Sequence, residues 1–177
     1  MIYVGIDTGG SGAIAVYNSE DSTFKFFDMQ TTIIKHDDDS HKSNMQTVAF
    51  LQSMYRFLQE NVKPYTHVVY IERIMPFGKG SASTYLSQGR NIGAVYAVLS
   101  ILGITFNEVL PRIWQKHLGL YGKSEDKKLD ILKAVKEIYP QTQVGSSVFH
   151  TPRGRFLDGR SDAVGIMHYA RSQVCEE

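Results

Sequence analysis

Residues 2–12 read IYVGIDTGGSG, and the fold turns on them. An apolar run ends on the acid Asp7 and passes at once into the glycine cluster of residues 9–12. The chain then becomes apolar again over residues 13–17, AIAVY. This pattern predicts a buried strand, a tight bend carrying an acid, and an antiparallel return strand. Residues 23–28, TFKFFD, extend the pair into a three-stranded meander.

Working outward, the polar stretch that holds Asp37, Asp38 and Asp39 reads as loop. Ser43 followed by Gln46 is a capping-box pattern, and Val48, Leu51, Tyr55 and Leu58 recur at helical spacing, which predicts a helix over about 43–61. Pro64 ends it. Residues 67–72, HVVYIE, are a β-branched strand that closes on Glu72, and 73–83, RIMPFGKGSAS, is a basic loop. Helical spacing returns over 84–102, a strand follows over 104–109, and Pro111 starts a short helix through Leu118. Ser124, Glu125 and Asp126 start another that Pro140 stops, and after an irregular segment over 141–157 the last helix runs over about 159–173. Early antiparallel strands feeding crossover connections predict an α/β fold, a mixed five-stranded sheet with helices on both faces.

At 177 residues and 20.0 kDa the expectation is one domain over residues 1–177, long enough to bury a sizeable core. With 42% hydrophobic and 21% charged residues, a disordered or fibrous chain is excluded. The 19 basic and 18 acidic residues nearly cancel, but residues 1–110 hold 8 Lys/Arg against 10 Asp/Glu, and residues 111–177 hold 11 against 8. That asymmetry permits a polyanion-facing side within a near-neutral total. One cysteine, Cys175, excludes an intrachain disulfide framework and fits a reducing compartment. The opening residues have neither a basic n-region nor a long apolar segment, so a cytoplasmic location and no membrane partner are expected. His36 and His41 come nearest to zinc-ligand spacing, but no second pair accompanies them.

Asp7 and Glu72 close strands, and Asp158 with Asp162 stands at the start of the final helix. Side chains at strand ends of an α/β sheet converge on a crevice where ligands bind, and helix positions i and i+4 share a face. Taken alone, an acid at a strand end is usually a solvated turn residue; their joint placement favours a site. Four carboxylates so close cannot all stay ionised without cations among them. All-oxygen ligands suit Mg²⁺ or Mn²⁺. A pair of such ions about 3.5–4 Å apart is the usual machinery for phosphodiester cleavage, one activating water and the other stabilising the leaving 3′ oxygen. Arg153, Arg155 and Arg160 flank Asp158, as a phosphodiester substrate would require, although a basic surface loop would look the same.

Together, GIDTGGSG at 5–12, the strand ending in Ile71-Glu72, STYLSQGRNIGAV at 83–95, Pro111-Arg112-Ile113-Trp114 and DGRSDAVGIMHYA at 158–170 resemble the RuvC-type Holliday junction resolvases, which have a ribonuclease H-like fold. The resemblance runs in order from residue 2 to about 172. It implies that Asp7, Glu72 and Asp162 are metal-binding acids. Bacterial members usually carry the fourth acid three residues before the last, where this chain has Gly159; Asp158, in an arrangement similar to phage and organellar relatives, is taken as the fourth. The family's catalytic lysine falls on Lys127 or Lys128, with Lys123 nearby. The junction-probing loop falls on 73–83, with Phe77 as the residue that stacks on an opened base, worth about 1–3 kcal/mol. Arg73, Lys79 and Arg90 join Lys123 and the three later arginines as DNA contacts, and Trp114 is read as core. The implied activity is a divalent-metal-dependent endonuclease with two Mg²⁺ or Mn²⁺ ions per site and no nucleotide cofactor. Acting as a homodimer, it would cut four-way junctions by paired symmetric nicks that leave 5′-phosphate and 3′-hydroxyl ends.

Three other readings compete. A debranching nuclease would accept forks, flaps and three-way branches as well. DTGGSGA also resembles the phosphate loop of sugar kinases and actin-like ATPases, but those need two such domains around the nucleotide and 177 residues are too few. A non-catalytic junction-binding protein would not need the intact acids.

Overall fold

The computed structural model describes residues 1–29, 32–35, 42–45, 48–62, 66–74, 81–120, 122, 126–143 and 148–174. In chain order the strands are β1 (Ile2–Ile6), β2 (Ala13–Asn18), β3 (Thr23–Asp28), β4 (Thr32–Lys35) and β5 (Lys42–Met45), followed by helix α1 (Val48–Asn61) and strand β6 (His67–Glu72). Helix α2 (Ala82–Ile101), strand β7 (Asn107–Val109) and helices α3 (Pro111–His117), α4 (Lys127–Ile138) and α5 (Asp158–Ser172) complete the order, with a 3₁₀ turn over Pro140–Gln143 between the last two.

Five strands form one mixed sheet in the order β3-β2-β1-β6-β7, and β4 and β5 form a separate hairpin. β1 pairs antiparallel with β2 and parallel with β6, and β6 is parallel to β7. The expected mixed five-stranded sheet is therefore present, and its first strand lies at the centre.

Strand alternation sends successive residues to opposite faces. Val4, Ile6, Ile14, Val16, Val69 and Ile71 join one buried cluster with residues of α1 and α2. Tyr3, Ala13, Ala15 and Tyr17 join the other, with Trp114 and residues of α4 and α5. α5 lies almost directly on β1: a Cβ at Gly5 would stand 2.1 Å from the carbonyl oxygen of Ala163. Only glycine at that position allows the final helix so near the central strand.

Two expectations need correction. The stretch after Asp28 is not all loop, since Thr32–Lys35 pairs with Lys42–Met45, Ile34 opposite Ser43. Ser43 therefore lies in a strand rather than capping a helix, and α1 starts at Val48. The ladder engages the backbone that the capping pattern assigned to a helix. Smaller shifts occur elsewhere: Ser81 caps α2 by accepting from the Thr84 amide at 3.2 Å, Asp126 caps α4, and β7 covers only three of the six predicted residues. Residues 36–41, including the three aspartates, lie outside the described residues. Among the described residues no helix is long and apolar enough to cross a membrane.

Candidate active site

Asp7 and Glu72 lie one step beyond the paired residues Ile6 and Ile71 of adjacent parallel strands. Asp7 continues the face of Tyr3 and Gly5, and Glu72 that of Val68 and Tyr70, so both side chains belong to the face that α5 covers. The loop after Asp7 returns tightly: the Gly9 amide donates to Asp7 Oδ1 at 2.8 Å and the Gly12 amide to the Gly9 carbonyl at 3.0 Å. A Cβ at Gly12 would meet the Asp7 carbonyl oxygen at 2.1 Å.

That bend also receives the start of α5. Gly12 bridges Gly159, where a Cβ would stand 2.0 Å from the Ser11 carbonyl oxygen. No side chain fits at 159, which is why an acid three residues before Asp162 has no room here. The neighbouring Asp158 is brought towards Asp7 instead, and one helical turn on, Asp162 follows.

The four acids act on one another electrically. Asp162 is pushed up to about 8, by burial first and then by Asp7, Glu72 and Asp158, with Lys128 opposing. Glu72 is pushed up to about 7 by burial and Asp7, against a bond from Trp114 and the charge of Lys127. Burial also raises Asp7 to about 6, with Asp158 adding to it and the Gly9 amide working against it. These directions are those of carboxylates crowded into a partly dry site.

Lys128, at the start of α4, forms an ion pair with Asp158 Oδ2, and that bond holds its ammonium above the usual lysine range. Of the two lysines left open by the sequence, Lys128 is the one bonded to an acid of the group; Lys127 acts on Glu72 through its charge. Trp114 Nε1 donates to Glu72 Oε1 at 3.0 Å.

All the donors are carboxylate oxygens, and Asp162 Oδ1 is buried without a hydrogen-bond partner. Both features fit a divalent cation. Among the described residues no three acids or histidines are arranged to enclose an ion as they stand. Asp7, Glu72 and Asp158 each direct an oxygen at a protein donor, and for Asp158 that donor is itself a cation.

Against Asp158, alone of the four acids, opens a cleft of about 830 Å³ whose walls include Gly10, Ser11, Asp28, His150 and Arg155. One wall is a short loop closed by the His150–Phe156 bridge, and Arg153 and Arg155 stand exposed on it. Arg160 is placed differently from these two. Its Nε and Nη2 grip both oxygens of Asp28 at 2.6 and 2.7 Å, and Nη1 donates to the Val148 carbonyl at 2.6 Å. It clamps α5 to β3 in the cleft wall. Arg73 lies 3.8 Å from Glu108, and Arg90 is exposed on α2 next to Asn91, whose amide reaches the Thr8 carbonyl at 3.4 Å. Phe77, Lys79 and Lys123 lie outside the described residues.

Sequence reasoning missed the Trp114–Glu72 bond, the Arg160–Asp28 clamp and the glycine contacts at Gly5 and Gly159. The PRIW motif and the paired glycines were the available signals, but the partners are distant in the chain.

The sheet order, the packing of α5 on β1 and the acids at the ends of β1 and β6 define a ribonuclease H-like fold with a carboxylate centre. The solved structure of Thermus thermophilus RuvC matches it with a TM-score of 0.55 at 17% identity, covering 99% of this chain and 97% of that one. The structure of T. thermophilus RuvC in complex with Holliday junction substrate matches with a TM-score of 0.54 at 14% identity, over 98% and 96% of the two chains. At these identities the likeness establishes a shared fold, that of RuvC. No protein-family model and no curated protein sequence matches the chain.

Proposed function

We propose that this chain is a divalent-metal-dependent endonuclease that resolves four-way DNA junctions by paired symmetric nicks. The observation that carries this reading is the convergence of Asp7, Glu72, Asp158 and Asp162, with Lys128 bonded among them, within a RuvC fold. The RuvC structure bound to a Holliday junction supports branched DNA as the substrate class.

The four acids would hold Mg²⁺ or Mn²⁺, two ions per site. Bound divalent ions supply the charge that activates an attacking water and stabilises the departing 3′ oxygen. The chain's own residues do the rest. The Gly9 amide and the Trp114 indole fix one oxygen each of Asp7 and Glu72, which lowers the reorganisation needed when substrate binds. The Lys128 ammonium, two-thirds exposed and already beside Asp158, is placed to donate to a phosphate oxygen. Arg155 lines the cleft and Arg153 stands exposed on the same loop, both suited to the flanking backbone. In-line attack on phosphorus breaks the bond to the 3′ oxygen and leaves 5′-phosphate and 3′-hydroxyl ends.

Symmetric nicking needs two copies. Along α2 the residues Leu86, Gly89, Gly93, Ala97 and Ile101 are exposed in one stripe, and a Cβ at Gly89 or Gly93 would touch nothing within 4 Å. This stripe is the proposed homodimer contact. The residues of the probing loop, Phe77 and Lys79, together with Arg73, Arg90 and Lys123, are proposed to contact DNA on the same reading.

The test is one panel of labelled four-way, three-way, fork, flap and duplex DNAs, with and without Mg²⁺, and with cut positions and end groups mapped. Symmetric cuts confined to the four-way junction in Mg²⁺ are expected. Equal cutting of forks and flaps would replace junction resolution with general debranching. Tight junction binding without cutting, in Mg²⁺ and in Mn²⁺, would leave only a binding protein.

A further inference from the structure

Trp114 is the only tryptophan of the chain and is fully buried. Its indole has one donor and no acceptor, and a buried indole N–H needs a partner. The partner is Oε1 of Glu72, 42 residues away and 3.0 Å distant. The ring is held on its other side by α5. A Cβ at Gly165 would stand 2.8 Å from Cζ3 and 3.1 Å from Cε3 of the ring, so glycine there opens the slot that the indole fills. Gly165 lies three residues beyond Asp162 on the same helix. One rigid side chain therefore spans the interval between β6, which carries Glu72, and α5, which carries Asp158 and Asp162.

We infer that Trp114 is a positioning residue for the metal centre, orienting the Glu72 carboxylate and setting its distance from the acids of α5. This rests on the metal-dependent reading above. A hydrogen bond to one oxygen restricts rotation of the carboxylate, and such outer partners typically influence metal affinity about 10- to 100-fold. A phenylalanine at 114 keeps most of the buried ring and removes only the donor.

Because there is one indole, it reports on itself. In ¹H–¹⁵N spectra of the full DNA-free chain, titrated with Mg²⁺, the indole resonance and the Gly9 amide, which is bonded to Asp7, should move with one common midpoint. Glu72→Gln should displace the indole resonance before any metal is added. In Trp114→Phe the Gly9 midpoint should rise on the order of 10-fold, with amide dispersion otherwise preserved. Movement of the Gly9 amide while the indole stays still would overturn the positioning role, and so would an unchanged midpoint in a folded Trp114→Phe. If neither signal moves in the wild-type chain, the metal reading itself fails and takes the positioning role with it. The wild-type titration decides the matter even if Trp114→Phe does not fold.

Discussion

On the face of the sheet covered by α1 and α2, strand residues such as Val4, Ile14 and Ile71 meet Met54, Leu58 and Leu99 through aliphatic side chains. On the face covered by α5, backbone approaches backbone at Gly5, Gly12 and Gly159, and ionisable groups gather where it does so. The difference is one of tolerance. Side-chain packing can absorb a lost or added methylene at a graded cost, whereas a contact made by missing side chains has no slack. The acid-bearing face depends on that second kind of contact because carboxylates from two strand ends and a helix must come within reach of each other.

The comparison predicts its largest effect at Gly5. Alanine there would place a Cβ 2.1 Å from one backbone atom and 2.3 Å from another, neither of which can turn aside. Gly5→Ala should cost about 4 kcal/mol or more, beyond the usual range for a point change, and urea denaturation would measure it. A loss under about 1 kcal/mol would mean that α5 can lift from β1, and the contrast between the faces would fall.

Asp162→Asn separates chemistry from stability on the same face. Cleavage should fall by about 1,000-fold or more, as expected when a group stabilising the transition state is removed. Stability should move the other way. In the folded chain Asp162 holds its proton up to about 8, above its ordinary 3.8, so the folded state binds that proton more tightly than the unfolded chain does. Wild type therefore loses stability as pH rises between about 4 and 8, and asparagine, with no proton to lose, does not. In metal-free buffer the variant should melt about 5 °C higher at pH 8, with the gap closing near pH 4. Equal melting temperatures at pH 8 would show that the acids are not crowded.

Leu99→Ala probes the other face. The side chain belongs to α2 and is fully buried, so its removal should cost about 3 kcal/mol. Cleavage by the folded fraction should stay within about twofold, because Leu99 packs in the cluster on the face of the sheet opposite the acids. A large fall in turnover of folded enzyme would show that the two faces are coupled.

What the sequence made legible follows the range of the interactions. Strand alternation and local turn chemistry are short-range, so β1, β2, β3 and β6 and the positions of Asp7 and Glu72 at strand ends were readable. The β4–β5 hairpin was not: Lys42–Met45 has no apolar alternation, and its Ser43 imitates a helix cap. The Arg160–Asp28 clamp joins residues 132 apart, and no local pattern distinguishes an arginine that holds a carboxylate from one that faces phosphate. In the sequence Gly159 is only the place where an acid is missing; its contact with Ser11 exists because α5 lies against the bend after Asp7.

The smallest predicted effect is the most discriminating for the α1/α2 side. Gly93 lies inside α2 on the exposed stripe, and a methyl there would meet no neighbour in this chain. In an isolated chain Gly93→Ala should stabilise the helix by about 1 kcal/mol, since glycine carries the larger entropic cost of ordering. If the stripe is the homodimer contact, the same methyl must separate two closely approaching helices. Melting temperature should then rise in dilute solution, where chains are monomeric, and the dimer dissociation constant from analytical ultracentrifugation should rise by about 10-fold, or 1.4 kcal/mol. Stabilisation with unchanged self-association would move the dimer contact elsewhere. It would also make α2 a second, outer surface on which side chains are added freely, in contrast to the glycines beneath α5.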